Sequence, residues 1–211
     1  MTIACLGWGS LLWKSGALLL ASTWQDDGPR LPVEFARVGD GGELATALCP
    51  GAALQSTWWA LLATDDLATA REQLRIREAI DREHPEWVGS SDRAADDAAS
   101  RAIEAWRRER GLQAVVWTAL PPRIDGCNGR CPGPGEAVAY LAGLAGERRA
   151  HAEDYVRRVP PSLATVNRQA IATALGWRPY EDGADDTREA VAPAAVQVCM
   201  PCGSTSRMQA P

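Results

Sequence analysis

The sequence predicts an α+β protein in which a mixed β-sheet packs against several helices, and three features of the chain support this fold class. Residues 3–7 form a short apolar run of strand length that ends at glycine. Residues 32–38 alternate with the two-residue period of a strand. Later segments place apolar residues three and four positions apart between capping residues, as helices with one buried face do. The 211 residues, 46% hydrophobic and 23% charged, are enough for one domain with a substantial core.

The first part of the chain is predicted to consist mainly of strands. The strand at 3–7 ends in a Gly-x-Gly loop, and strands at 32–38 and 43–49 flank an Asp-Gly-Gly turn that is typical of a hairpin. A further strand at 56–63 is apolar on both faces, so we expect it to lie in the centre of the sheet.

Helices are predicted for most of the remaining chain. Thr64, Asp65 and Asp66 form an N-terminal cap for a helix that reaches Glu78. One more strand is predicted at 113–120, and further helices are predicted at 92–110, 136–145, 148–158 and 163–175.

Charge and hydropathy exclude several classes of partner. The formal net charge is −5 and no cluster of Lys and Arg is dense enough to follow a phosphate backbone, so we expect no nucleic acid partner. No apolar run approaches the ~20 residues of a membrane span, so we expect no membrane partner. Residues 17–21 resemble the core of a signal peptide, but Lys14 interrupts the apolar run instead of preceding it. We therefore expect a cytoplasmic protein, and its oligomeric state is left open.

The loop after the first strand is a candidate anion site. Gly7 and Gly9 flank Trp8, and glycine permits positive φ and removes side chains, so backbone N–H groups can close around an acceptor. A simple turn explains the same pattern.

A carboxylate interrupts the apolar face of the first predicted helix. Leu67, Ala70 and Leu74 follow helical spacing, and the next position on that face is Glu78, about 20° from Leu67 around the axis. An unpaired buried carboxylate is costly and points to chemistry. The alternative is that the helix has ended there and that Glu78 is a solvated acid paired with Arg71 or Arg75.

Taken in order, three segments resemble the gamma-glutamylcyclotransferase superfamily, and its ChaC-like branch in particular. The family's glycine loop, Tyr-Gly-Ser-Leu, is matched by WGSLLW at residues 8–13, and its Leu-Asp-x-Arg-Glu segment by LRIRE at residues 74–78. The strand-like segment 31–38 lies between them. The resemblance covers roughly the first 80 residues, with a fainter echo at 161–177 that includes a Thr-x-Asn segment at Thr165.

The resemblance implies a fold, a domain organisation and a reaction. It implies a mixed sheet that closes into a small barrel, with helices packed outside. We predict one such domain over residues 1–179, with a helical insertion near 81–111 that covers the pocket, and a flexible tail at 180–211. The implied reaction cyclises a γ-glutamyl compound, such as glutathione or a γ-glutamyl amino acid or amine, to 5-oxoproline and releases the amine. It requires no cofactor and no metal.

The resemblance also implies roles for particular residues. Glu78 is the expected general acid and base, and burial would raise its pKa toward that of the attacking amine. The residues expected to bind substrate are Gly7, Trp8, Gly9, Ser10, Leu11 and Arg37. Arg37 would meet a substrate carboxylate, although an ion pair with Glu34 or Glu43 is an alternative. The family has Tyr where this chain has Trp8, which exchanges a hydroxyl for an indole N–H.

Two other interpretations stay open. One is a non-catalytic domain of the same fold that binds a small ligand or a partner. The other is a structural zinc site, because four thiolates occur in two close pairs, at Cys127, Cys131, Cys199 and Cys202. Cys5 and Cys49 fall within predicted strands and are interpreted as buried thiols, and His84 and His151 as surface residues.

Overall fold

The computed structural model describes residues 2–93 and 95–180. Within these residues the chain forms five α-helices and eight strands, and the strands belong to two mixed four-stranded sheets. The predicted α+β class is therefore confirmed.

The first sheet has the strand order β4-β1-β6-β5. β1 and β6 run parallel, and the two outer strands pair antiparallel to their neighbours. β1 is buried along its whole length, since side chains cover it on both faces. The strands are β1 (Ile3–Gly7), β4 (Trp58–Leu61), β5 (Val88–Ser90) and β6 (Ala114–Thr118).

The second sheet has the strand order β3-β2-β7-β8. The predicted hairpin joins β2 to β3, and the N–H of Gly39 donates to the carbonyl of Glu43 at 2.9 Å across the turn. β7 pairs parallel with β2 at a single position, where Arg123 faces Arg37. The strands are β2 (Val33–Val38), β3 (Leu44–Leu48), β7 (Arg123–Ile124) and β8 (Cys127–Asn128).

Each helix ends at signals that the sequence carries. Asp66 caps α1 by accepting a hydrogen bond from the Thr69 N–H at 2.9 Å, Thr165 caps α5 in the same way, and Gly176 ends α5 with a φ of 75°. The helices are α1 (Leu67–Arg77), α2 (Ala98–Glu109), α3 (Pro134–Ala142), α4 (Gly146–Arg158) and α5 (Val166–Leu175). Two short 3₁₀ turns occur at Ser10–Leu12 and Pro85–Trp87.

The first sheet separates two hydrophobic cores. Ile3 and Cys5 of β1 face a smaller core with Leu74 of α1, whereas Ala4 and Leu6 face a larger core shared with the second sheet and with α2 to α5. This alternation follows from the two-residue period of a strand. α1 is thereby held on one face of the first sheet, with its C-terminal end at the sheet's edge.

The predicted barrel is not found in the part of the chain that the structure describes. The two sheets stay separate, because the segment before β2 pairs with the β4 region only through isolated bridges, such as Gln25 with Trp59. For the same reason β4 is an outer strand, and the prediction that 56–63 is central is wrong. Gln25 and Trp59 exchange backbone hydrogen bonds at 2.8 and 2.9 Å, which covers this edge.

The cysteine interpretation requires a correction. Cys49 is not a free thiol but is joined to Cys131 by a disulfide, whereas Cys5 is a buried free thiol as predicted. The bond occupies one of the four thiols proposed for zinc. Cys199 and Cys202 lie outside the described residues, as does the predicted tail from residue 181 onward.

The last described residue packs against the domain. The Tyr180 N–H donates to the Arg157 carbonyl at 3.0 Å, and the Arg157 guanidinium lies 4.4 Å from the centre of the Tyr180 ring.

Within residues 2–93 and 95–180, no helix is long and apolar enough to cross a membrane.

Candidate active site

One cavity of about 430 Å³ brings together all of the predicted site residues except Gly7. The glycine loop contributes Trp8, Gly9, Ser10 and Leu11 to its lining. Arg37 and Glu78, which the sequence places far from this loop, line the same space. The remaining lining comes from the end of α1, the β2–β3 hairpin, Trp87, the end of β6, β7 and α4.

Topology explains why these segments meet. β1 and β6 are parallel, with Cys5 opposite Val116, so the loop after β1 and Thr118 at the end of β6 lie at the same edge of the sheet. α1 packs along this sheet and ends at that edge with Glu78. The second sheet then closes the space from the side of Arg37.

The two glycines are needed for space and not for positive φ, so that part of the prediction is wrong. Gly9 has a φ of −148°, and neither glycine is in the left-handed region. A Cβ at Gly9 would meet the Thr46 hydroxyl and, at 2.6 Å, the Tyr155 hydroxyl. A Cβ at Gly7 would lie 2.9 Å from the Trp24 ring, so Gly7 supports the loop from behind the cavity.

The glycine loop retains hydrogen-bonding capacity. No described residue accepts a hydrogen bond from the backbone N–H groups of Gly9, Ser10 or Leu11. All three residues line the cavity. Because buried or half-buried N–H groups normally find acceptors, these groups are suited to hold an anionic part of a ligand.

A hydroxyl relay fixes the loop against the second sheet and α4. The Thr46 hydroxyl donates to the Trp8 carbonyl at 3.3 Å, and the Tyr155 oxygen accepts from the Thr46 N–H at 3.1 Å. The two hydroxyl oxygens are 3.0 Å apart. Since Thr46 has a single hydroxyl proton and gives it to Trp8, Tyr155 donates its own proton to Thr46. Tyr155 therefore positions the loop, and sequence analysis missed it.

Glu78 lies at the C-terminal cap of α1, one residue beyond the last helical position. Its N–H donates to the Leu74 carbonyl at 2.9 Å, so it continues the buried line through Leu74 as the sequence predicts. Its side chain is only 14% exposed. The alternative partners are engaged elsewhere, since Arg71 pairs with Asp92 and Arg75 with Glu72.

Burial raises the pKa of Glu78 above its ordinary value. The positive charge of Arg77, the Thr118 hydroxyl and the more distant charge of Arg37 all lower the pKa and so oppose this shift. The Thr118 oxygen is itself buried and makes no hydrogen bond of normal geometry with any described residue. A desolvated carboxyl group thus stands beside a spare hydroxyl at the floor of the cavity.

Arg77 connects Glu78 to the glycine loop. Its Nη1 lies 3.3 Å from Glu78 Oε1, its Nη2 donates to the Ser10 hydroxyl at 2.9 Å, and its Nε donates to the Lys14 carbonyl at 2.8 Å. The side chain is 10% exposed, so the guanidinium is held rigidly between the two parts of the site.

Arg37 faces the cavity and does not form the ion pairs considered for it. Its Nη1 donates to the Pro121 carbonyl at 2.7 Å, and no described carboxylate lies within ion-pair distance. Glu34 turns to the other face and accepts a hydrogen bond from the N–H of Asn167 at 3.3 Å, within the Thr-x-Asn segment. Glu43 Oε2 lies 3.4 Å from His151 Nε2, and both residues line the cavity.

Several other polar residues line the cavity without having been predicted to belong to the site, besides Arg77, Thr118, Thr46 and Tyr155 described above. Among them are Glu43 in the turn of the β2–β3 hairpin, Arg123 of β7 and His151 of α4. His151 is 54% exposed, which agrees with its interpretation as a surface residue, but it stands at the cavity's mouth.

The predicted helical insertion does not cover this cavity. Of the segment 81–111, only Asp81 and Trp87 line it, whereas α2 borders a separate, more apolar groove of about 930 Å³. None of the predicted site residues lines that groove. α2 instead packs Ile103 and Trp106 into the larger core.

The site is a polar cavity that encloses the desolvated carboxyl group of Glu78, and the loop at its side has backbone N–H groups without an acceptor among the described residues. Comparisons with protein-family models, with curated proteins and with solved structures find no match to this chain. Among the described residues, no group of three or more His, Cys, Asp or Glu side chains is arranged to hold a metal ion.

Proposed function

We propose that the protein is a gamma-glutamylcyclotransferase-like enzyme that converts a γ-glutamyl compound to 5-oxoproline and a free amine. The observation that carries the proposal is the position of Glu78, a carboxyl group with raised pKa in the cavity that the glycine loop borders. This pairing of a buried acid with an N–H-rich loop is what the sequence resemblance implies.

The chemical requirement is a base for the substrate's α-ammonium group. An α-amine has a pKa of about 8 and an ordinary Glu about 4.3, so transfer of the proton from the ammonium group to the carboxylate costs roughly 5 kcal/mol. Burial of Glu78 narrows this difference, so the carboxylate can accept the proton. Cys5 is no rival nucleophile, because it is completely buried and burial raises the pKa of its thiol.

The reaction then proceeds within one substrate molecule. The α-amine attacks the γ-carbonyl carbon, a nitrogen–carbon bond closes the five-membered ring, and the amide bond to the leaving group breaks. Two protons leave the attacking nitrogen, one from the ammonium group before attack and one from the tetrahedral adduct, and Glu78 passes them one at a time to the departing nitrogen, which leaves as an ammonium group. The N–H groups of Gly9, Ser10 and Leu11 hold the glutamyl carboxylate or the oxyanion. Because nucleophile and electrophile share one molecule, the enzyme supplies mainly orientation and proton transfer.

The test is the release of 5-oxoproline from glutathione, γ-glutamyl-alanine and a γ-glutamylamine by the purified protein. Glu78→Gln should keep the fold and lower turnover by about 10²- to 10⁴-fold, because the amide cannot accept the proton. Glu43→Gln is the matched control, since Glu43 is the other partly buried carboxylate of the cavity. We expect it to change turnover by only a few-fold.

Two results would contradict this proposal in different ways. If Glu43→Gln abolishes turnover while Glu78→Gln does not, the base is wrongly assigned. If the folded wild-type protein binds γ-glutamyl compounds but turns none over, the alternative of a non-catalytic binding domain is correct.

A further inference from the structure

Thr118, the last residue of β6, carries a hydroxyl on the same side of the sheet as Glu78. Alternate residues of a strand project from opposite faces, and Ala114 and Val116 pack in the smaller core with Leu74 of α1. Thr118 continues the row of β6 by two positions, as Glu78 continues Leu74 by four. Both residues line the cavity. The two packed rows thus end in a hydroxyl and a carboxyl group where the cavity begins.

The first sheet holds Thr118 in place through its backbone. Its register partner is Val88 of β5, and the antiparallel pairing of the two strands shows no shift. The N–H of the next residue, Ala119, donates to the Trp87 carbonyl at 2.8 Å, which continues the pairing beyond the strand. Threonine is β-branched and therefore stiff at χ1, so the strand also restricts the position of the hydroxyl.

The Thr118 hydroxyl has hydrogen-bonding capacity that the described residues do not use. Its oxygen is buried and has no hydrogen-bond partner of normal geometry among them. It is close enough to Glu78 to lower the pKa of that carboxyl group. A buried hydroxyl without a partner is unfavourable, and a polar group of a ligand in the cavity would supply one.

The donors and acceptors present determine the direction of each hydrogen bond at this hydroxyl. A hydroxyl has one proton and two lone pairs, whereas an ionised carboxylate has only acceptors. Thr118 must therefore donate its single proton to Glu78, and its lone pairs can only accept. In the proposed reaction, the α-ammonium group of the substrate is the donor that has to approach Glu78.

We propose that Thr118 is a catalytic residue whose hydroxyl donates to the Glu78 carboxylate and accepts a hydrogen bond from the α-nitrogen of the substrate. The attacking nitrogen is thereby held beside the base that removes its protons. Thr118 itself neither gains nor loses a proton, because both protons pass through Glu78. This inference rests on the proposed function and adds the group that orients the nucleophile at the same site.

The other groups that interact electrostatically with Glu78 lie on β1, α4, α1 and β2. Cys5 and Tyr155 both feel its charge, but burial raises the pKa of each, so both stay neutral. Arg77 and Arg37 are positively charged and lower the pKa of Glu78. All four side chains are unchanged when Thr118 is substituted, so a change in the titration of Glu78 reports the loss of the hydroxyl.

Thr118→Val tests the proposal, because it removes the hydroxyl and keeps the shape of the side chain. We expect it to lower kcat/KM for γ-glutamyl-alanine by about ten- to a hundredfold, as for the loss of a hydrogen bond to a charged group. The acidic limb of the pH profile should shift to higher pH, because the hydroxyl lowers the pKa of Glu78. Thr118→Ser keeps the hydroxyl and should stay near wild type in both respects. Thr173→Val is the matched control, since this threonine is exposed on α5 and does not line the cavity.

Unfolding measurements separate this role from structural damage. Thr118→Val should be at least as stable as wild type, because a methyl group replaces a buried hydroxyl that has no partner. A variant that is merely damaged would lose stability and leave the acidic limb in place. The proposal is overturned if Thr118→Val keeps the wild-type kcat/KM or the wild-type acidic limb, or if Thr118→Ser loses as much activity as Thr118→Val.

The inference is decided even if the proposed function fails. Should wild type turn over no γ-glutamyl compound, the proposed activity is wrong, and calorimetry then compares the binding of γ-glutamyl-alanine with that of 4-carboxybutanoyl-alanine, which lacks only the α-amine. Tighter binding of the amine compound that disappears in Thr118→Val would support the contact between Thr118 and the α-nitrogen. Equal binding, no binding, or a preference that survives in Thr118→Val would refute it.

Discussion

Arg77 Nη1 lies 3.3 Å from Glu78 Oε1, and these neighbours end the same helix inside one cavity. Burial raises the pKa of Glu78 while the charge of Arg77 lowers it. The two effects set the pH range over which the carboxyl group can act as a base. Arg77 also holds the Ser10 hydroxyl, so it couples the state of the acid to the position of the glycine loop.

Removal of the Arg77 charge should move the pH dependence of catalysis. In Arg77→Gln the opposing charge is gone, so the pKa of Glu78 rises further. In the proposed reaction the active form is the deprotonated carboxylate, so activity should fall as the pH drops through the pKa of Glu78. The acidic limb of the kcat/KM profile should therefore shift to higher pH. Arg77→Lys keeps the charge and should leave the limb near its wild-type position; identical profiles for all three proteins would contradict the coupling.

The same burial predicts a pH-dependent gain in stability for Glu78→Gln. Because the folded-state pKa of Glu78 is raised, its contribution to stability is greatest when it is protonated and is lost as the pH rises through that pKa. Glu78→Gln should therefore be more stable than wild type at neutral pH, because the amide does not pay the cost of a buried negative charge. The gain should disappear at a pH below the unfolded value of about 4.3.

Glu72 provides a control of opposite sign on the same helix. Hydrogen bonds from Arg75 lower the pKa of Glu72, so its ionised form stabilises the fold above the unfolded pKa and this contribution is lost on acidification. Glu72→Gln should therefore lose stability at neutral pH and match wild type in acid. Urea unfolding of both variants at two pH values measures the difference. A loss of stability at neutral pH in Glu78→Gln would show that Glu78 is not desolvated.

Much of the site could be predicted because its signals are local. The apolar run of β1 ends at its glycine loop, and Glu78 follows Leu74 by four positions, which places it on the buried line even though α1 ends at Arg77. The remaining members depend on contacts across the chain. Tyr155 meets Thr46 over 109 residues, and Arg123 faces Arg37 only because β7, two residues long, pairs with β2.

The missed elements have a common physical cause. β5, β7 and β8 are two or three residues long, too short for a periodic pattern, and they form only because a neighbouring strand offers hydrogen bonds. α2 begins at Ala98 instead of residue 92, because Asp97 accepts a hydrogen bond from the Ser100 N–H at 2.8 Å and so caps the helix later. The Cys49–Cys131 bond joins residues 82 positions apart, which spacing alone cannot indicate.

Substitution of Gly9 should damage both the fold and the site. In Gly9→Ala the new methyl group meets the Thr46 and Tyr155 hydroxyls, so the loop or the relay must shift. We expect a loss of about 1–3 kcal/mol in unfolding free energy, as for overpacking in a core, and about 10²-fold in turnover. Gly135→Ala is the control, since a Cβ there meets nothing within 4 Å, and it should raise stability by about 0.5–1 kcal/mol. Equal effects of the two substitutions would refute the close approach at Gly9.

The residue after Glu78 carries backbone strain that a single substitution can relieve. Ala79 has a φ of 50°. The Ala79 N–H donates to the Ile76 carbonyl at 3.2 Å, and the Ile80 N–H donates to the Arg75 carbonyl at 3.0 Å. These two bonds end α1 in a geometry in which the left-handed position is usually occupied by glycine. The left-handed conformation costs an L-residue about 1–2 kcal/mol, and glycine loses part of this advantage to its greater freedom when unfolded. We therefore expect Ala79→Gly to raise the unfolding free energy by about 0.5–1 kcal/mol. Ala105→Gly, at an exposed position within α2, should lower it by about 1 kcal/mol. Denaturant unfolding of both variants measures these changes in unfolding free energy. If both substitutions lower the unfolding free energy, Ala79 does not adopt the left-handed conformation that reverses the chain after Glu78.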